Sequence, residues 1–231
     1  MFIPLADRNP LQIISFQWVT VSLIAINVAV FVFFNLRLGD NAEQAAMIGY
    51  GVIPAVLFDS RELPPELVRV PEELTLISYQ FFHGDWMHLI ANMAFLWVFG
   101  DNVEDSMGHW RFLLFYCVCG AFASLAHALA QSDSISPLIG ASGAVAGVLG
   151  AYLVLHPRVK VIVFVLMRVP LRLRAYWVLG FWVALQLFYV VSGSSGNTAW
   201  WAHIGGFVMG AILIPFFKLD SVPLFDRGTE H

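Results

Sequence analysis

Ser142 in the run GASG and His203 in the run AHIGG are the two side chains of this 231-residue chain whose types and settings point to joint covalent chemistry. A serine hydroxyl is a weak nucleophile until a base takes its proton, and a neutral histidine within hydrogen-bond reach is such a base. Ser142 alone also reads as a packing or capping residue, and His203 as a core histidine satisfied by a carbonyl. Their glycine neighbours favour a meeting. Gly143, Gly147 and Gly150 share one helix face, because steps of four and three residues return to nearly the same angle, and Ser142 lies about 100° round from Gly143. Gly206 and Gly210 follow His203 at i+3 and i+7. Close packing of these two glycine strips, the small-residue pattern of membrane helices, would carry Ser142 to His203.

Attack on a carbonyl also needs donors for the developing oxyanion. The first-turn N–H groups of a helix opened by Ser142 have no intrahelical acceptor and aim out of its N-terminus. His88 and Asn92 stand at i and i+4, one above the other on one helix face, and Asn92 offers an amide NH2 that cannot act as a base. They read as a polar stripe facing the serine, or as interhelical hydrogen bonds. Asp85 and Asp133 belong to loops, so the expected constellation is a Ser/His dyad without an acid. Asn27 and Gln186, polar residues within apolar runs, read as interhelical hydrogen bonds.

The elements that must position these groups are apolar. Hydrophobic residues make up 59% of the chain and charged residues 12%, about half the charge of a soluble domain. Apolar runs recur throughout, which predicts one polytopic membrane domain over residues 1–231 rather than a soluble domain with an anchor. The expected spans are Trp18 to Leu36, Trp86 to Phe99, Arg111 to Ala130, Ser142 to His156, Leu173 to Val191 and Ala202 to Phe217. Around them lie an entry segment (1–17), a long acidic, proline-containing outer loop (37–76), a turn at GDNVEDSMGHW, a basic connector after His156, the loop GSSGN and a solvated tail (218–231).

Six spans put both termini on one side. Of the 12 lysines and arginines, Arg37, Arg61 and Arg69 fall on the opposite side, whereas Arg8, Arg111, Arg158, Lys160, Arg168, Arg172, Arg174, Lys218 and Arg227 fall on the side of the termini. The positive-inside rule then makes both termini cytoplasmic. Spans two, four and six all run inward from the outer face, so His88, Asn92, Ser142 and His203 share one depth. Span four, about 15 residues or about 22 Å, is shorter than the roughly 30 Å hydrocarbon core. Its serine end is expected below the outer surface, lining a cavity or buried in protein.

GASG opening span four, AHIGG opening span six and HLIAN in span two together resemble the rhomboid intramembrane serine proteases, over roughly Phe82 to Gly210. The resemblance implies an all-α, six-transmembrane-helix bundle that hydrolyses peptide bonds in or beside transmembrane segments of other proteins. By motif position Ser142 is similar to the family nucleophile and His203 to its base; His88, Asn92 and the Ser142 backbone N–H look like its oxyanion group. His83, in FFHGDWMHLIAN, fits a family pattern and is expected to be structural, and Glu104 resembles the acid that braces the loop after span two. Two positions depart from the pattern. No tryptophan occurs between residues 37 and 77, and Ala146 stands where some members carry an aromatic residue against the histidine, which transfers that role to Trp200 or Trp201.

The same residues limit other functions. A net charge of −4 without a basic run gives no footing for nucleic acid. Cys117 and Cys119, two apart in an apolar run, do not form a disulfide framework. His83, His88, His127 and His203 lie towards the outer side, but there is no HExxH and no acidic ligand on a span beside them, so neither metal nor cofactor is expected. A transporter would show repeated halves with broken helices, and none is visible. The alternative function is a non-catalytic rhomboid-like protein that binds transmembrane helices as a chaperone or adaptor; loss of Ser142 or His203 would favour it, and both are present. The first apolar run lacks a basic cluster before it and a cleavage site after it, so it reads as a retained helix. The short tails and the lack of a transit peptide suggest a bacterial inner membrane, with transmembrane substrates and the lipid bilayer as partners.

Overall fold

The computed structural model describes residues 2–34, 40–165, 169–193 and 198–226. Leu36, Arg37, Arg168, Arg227, His231 and residues 194–197 of the GSSGN loop lie outside the described residues. Among the described residues the helices are α1 (Trp18–Val32), α2 (Asp40–Tyr50), α3 (Pro54–Leu57), α4 (Glu72–Ser78), α5 (Trp86–Met107), α6 (His109–Ala130), α7 (Ser142–Leu155), α8 (Ala175–Val191) and α9 (Trp200–Phe217), with a 3-10 turn at Tyr79–Phe81.

The centre of the molecule is α7. Every residue from Gly143 to Tyr152 is buried, as expected of a helix apolar all round and enclosed by others. It packs against α5, α6 and α9. The contact with α9 is backbone to backbone: a Cβ at Gly206 would overlap the carbonyl oxygen of Gly143, and one at Gly210 would overlap that of Gly147. Gly150 in turn faces the Phe207 carbonyl. The glycine face of α7 is shared, however. The Cβ direction of Gly147 points first at Cys119 on α6, 2.5 Å from its Cβ, and that of Gly143 at Ala123, 2.6 Å from its Cβ. The strip therefore admits two helices.

Helix α6 and helix α9 are each long and apolar enough to cross a membrane; α1, α7 and α8 are apolar but shorter. The bundle is mostly helical, and it needs one addition to the all-α expectation. Strands β1 (Phe2–Asp7), β2 (Lys160–Val165) and β3 (Val169–Arg174) form an antiparallel sheet in the order β1-β2-β3. Val161 and Val163 of β2 are buried in the main core, so the basic connector is a hairpin and the entry segment is its third strand. Tyr152 Oη donates to Asp7 Oδ2 at 2.5 Å, fastening β1 to the far end of α7. Likewise the outer loop is not irregular throughout, since it contains α2, α3 and the start of α4.

Helix α5 continues past the expected end at Phe99 to Met107, and the chain turns at Gly108, whose φ of +81° suits glycine. The additional turns carry two buried carboxylates. Glu104 accepts from Val19 N (3.0 Å), Thr20 N (2.8 Å) and Thr20 Oγ1 (2.7 Å), and His109 Nδ1 lies 2.6 Å from it. It thus caps the open first turn of α1 and, through His109, also ties the turn at Gly108. Asp105 accepts the N–H groups of Gln12, Ile13 and Ile14.

Candidate active site

The N-terminus of α7 is set by a turn that only a few residues could make. Gly140 has φ +115°, and its N–H donates to Tyr79 O at 3.0 Å. Tyr79 Oη in turn donates to Gly120 O at 2.8 Å, tying this turn to α6. Ala141 N donates to His83 Nε2 at 3.4 Å, and Ser142 follows as the first helical residue. His83 therefore supports the backbone ahead of Ser142.

His203 sits in the first turn of α9, and the glycine contact fixes that helix against α7. Ser142 Oγ and His203 Nε2 are 2.8 Å apart, and both residues are partly exposed, so the pair is not sealed inside the bundle. On the other side of the ring, His203 Nδ1 lies 2.8 Å from Gln186 Oε1 of α8. The ring is also flanked by Trp182 (centroids 5.7 Å, 36°) and edge-on by Trp200 (6.1 Å, 84°). Trp200 is itself stacked on Tyr189 at 4.4 Å.

Of the two tryptophans expected to stand in for the aromatic absent at Ala146, Trp200 reaches the histidine; the second flank is Trp182, from a different helix. Sequence reasoning missed Trp182 and Tyr79, and it gave an interhelical hydrogen bond, without its partner, to Gln186. The signal for Trp182 and Gln186 was their i, i+4 spacing within span five, which places them on one face of α8.

His88 and Asn92 occupy the first two turns of α5. Asp85 accepts from His88 N at 2.8 Å and starts the helix. The His88 ring lies against Gly140, with Cε1 and Nε2 2.6 Å from where a Cβ would stand, and its centroid is 5.0 Å from that of His83. It is thus packed on the turn two residues ahead of Ser142. Asn92 is 6% exposed, and its Nδ2 donates to His88 O at 3.1 Å, within its own helix. Among the described residues no group of three histidines, cysteines or acids is arranged to hold a metal.

The family model described as Rhomboid domain matches residues 71–219. The chain belongs to the rhomboid family. It is 33% identical to Rhomboid protein 1, mitochondrial, of Saccharomyces cerevisiae over 62% of this chain and 41% of that protein. It is 28% identical to RHOMBOID-like protein 12, mitochondrial, of Arabidopsis thaliana over 89% of this chain and 60% of that protein. To the Rhomboid protease GluP of Bacillus subtilis it is 31% identical over 58% of this chain and 24% of that protein. The chain thus spans less than two thirds of the length of each of these relatives. Rhomboid proteins are integral to membranes, but the names of these relatives point to mitochondria as well as to a bacterium and give no preference to a bacterial inner membrane.

Proposed function

We propose that this rhomboid protein is an intramembrane serine endopeptidase that cleaves peptide bonds in or next to the transmembrane segments of other proteins. The single observation that carries the reading is the 2.8 Å contact between Ser142 Oγ and His203 Nε2 at the N-terminus of α7. A nucleophile, a base in hydrogen-bond reach and a third group orienting the base form the recurring arrangement of covalent acyl transfer.

In this mechanism Ser142 Oγ attacks the scissile carbonyl as its proton passes to His203 Nε2. The oxyanion is held by the Ser142 backbone N–H, because Gly140 N and Ala141 N are already engaged with Tyr79 and His83. The side chains of His88 and Asn92 supply further donors. Collapse breaks the C–N bond, His203 returns its proton to the leaving amine, and water, activated by the same histidine, releases the acyl group from Ser142. Substrates with small or helix-breaking residues near the outer face are preferred, since a helical segment hides its carbonyls in its own hydrogen bonds.

The proposal includes a single six-span membrane domain made of α1, α5, α6, α7, α8 and α9, with both termini cytoplasmic and the site towards the opposite face. The asymmetry of lysine and arginine and the shortness of α7 support it. A fluorophosphonate probe should label the wild-type protein and spare Ser142→Ala, and only the wild type should cleave a transmembrane substrate in liposomes. Equal labelling removes the nucleophile, and binding of substrates without cleavage by the wild type returns the function to a helix-binding rhomboid-like protein.

A further inference from the structure

Helix α8 contributes one polar side chain to this region, and its two ends are engaged in different ways. Gln186 is 5% exposed; its Nε2 donates to Trp182 O at 3.1 Å and its Oε1 lies 2.8 Å from His203 Nδ1. The first contact fixes the orientation of the amide, because turning it over would set Oε1 against the Trp182 carbonyl, acceptor against acceptor. With Oε1 towards the histidine, the second contact needs a hydrogen on Nδ1. A neutral imidazole carries one N–H, so Nε2 is left with a lone pair, and Nε2 is the nitrogen 2.8 Å from Ser142 Oγ.

We infer that Gln186 is a positioning residue that selects the tautomer of His203, holding its hydrogen on Nδ1 and leaving Nε2 to take the serine proton. The inference rests on the serine-protease reading for its consequence in catalysis, but the tautomer itself does not depend on it. The proton balance is complete: the Ser142 proton arrives on Nε2, the Nδ1 hydrogen stays on the ring throughout and bonds to Gln186 Oε1, and the leaving amine takes the proton back from Nε2. Gln186 never exchanges a proton. A neutral acceptor also suits the apolar wall formed by Trp182 and its neighbours, where an unpaired carboxylate would be costly to desolvate. Trp182 serves twice, packing on the imidazole and anchoring the amide that orients it.

The test is nitrogen NMR of histidine-labelled full-length protein in detergent at about pH 8, above the ordinary histidine range, with His203 assigned by its loss in His203→Ala. The wild type should show His203 with Nδ1 protonated and Nε2 unprotonated. In Gln186→Leu the ring should populate the Nε2–H form, and kcat for a transmembrane substrate should fall about tenfold or more with KM within about twofold, the pattern of a lost transition-state interaction. An unchanged tautomer in Gln186→Leu, or an unchanged kcat, overturns the inference. If that variant does not fold, the wild-type spectrum decides alone, and an Nε2–H tautomer there is fatal. A wild-type protein that shows the Nδ1–H signature yet cleaves nothing refutes the protease reading and leaves the tautomer assignment standing.

Discussion

Gly210 rests on the carbonyl oxygen of Gly147, with no room between them for a methyl group. One turn nearer the site, Gly206 rests in the same way on the carbonyl of Gly143. The distance between α7 and α9 at the level of Ser142 and His203 is therefore set by backbone, and it resists adjustment by side-chain rotation. Packed interiors answer such insertions by shifting whole elements.

Gly206→Ala and Gly210→Ala should each force α9 away from α7 and cost about 1–3 kcal/mol. Proteolysis should fall more than stability does, because the catalytic contact lies at the end of the displaced helix. The control is Gly180→Ala in α8, where a Cβ meets nothing within 4 Å; its activity should match the wild type and its thermal midpoint should not fall, since alanine favours a helix over glycine. Equal behaviour of Gly206→Ala and Gly180→Ala, by substrate cleavage and thermal unfolding in detergent, would refute this account of the helix pair.

A buried carboxylate supports the opposite end of the bundle. Glu104 satisfies two open N–H groups and a hydroxyl of α1, and also meets His109. Removing it in Glu104→Ala strands those donors together, which should cost roughly 3 kcal/mol, given the usual worth of hydrogen bonds to a charged group. Thr20→Val, which removes one of them, should cost less. Fluorophosphonate labelling per folded molecule should change little in either variant, since the carboxylate acts on α1 and not on Ser142. A large fall in labelling with normal stability would show that Glu104 reaches the site.

The parts of this arrangement that the sequence disclosed were those written as spacing. Ser142, His203 and their glycine strips could be paired because two helices with small residues at i+3 and i+4 steps must approach closely, and the polar pair His88 and Asn92 shows the same regularity. Gln186 shares a helix face with Trp182 at i, i+4, but that spacing names no partner on another helix. A lone amide in an apolar run implies a hydrogen bond but does not name its partner, and the partner, His203, lies beyond a loop whose path the sequence does not give. The sheet was missed for a different reason. VPLRLR alternates apolar and basic residues at the period of a strand, but its arginines fit a solvated basic connector equally well, and β1 pairs with a segment more than 150 residues away.

That sheet provides a pH-dependent element. Burial pushes the Asp7 carboxyl up to about 6, against the opposing pull of the hydrogen bond from Tyr152. The folded chain thus keeps the Asp7 proton to higher pH than the unfolded chain, which releases it near 3.8. Stability contributed here is full below about pH 4, declines as pH rises towards 6, and stays at its lower level above that. Asp7→Asn should flatten this part of the profile, and at pH 7.5 (roughly neutral, well above the Asp7 transition) it should melt higher than the wild type. Thermal midpoints of both proteins between about pH 4 and 7.5 check the sign; a difference between Asp7→Asn and the wild type that does not grow in the variant's favour as pH rises across that window refutes it.

The turn before the nucleophile offers the sharpest test of how His88 is placed. Gly140 has a φ of +115° that other residues rarely adopt, and the His88 ring occupies the space a side chain would need. Gly140→Ala therefore carries two penalties, backbone strain and a collision, of which only the second involves His88. His88→Ala alone should lower kcat by removing an oxyanion donor. In the double variant the collision is gone, so the combined loss should be smaller than the sum of the two single losses by about 1 kcal/mol or more, the range of coupling between touching residues. The strain remains, so activity should not return to that of His88→Ala. Strict additivity in kcat/KM across the four proteins would mean that His88 does not rest on this turn when substrate is bound, and the donor role assigned to it would lose its geometric basis.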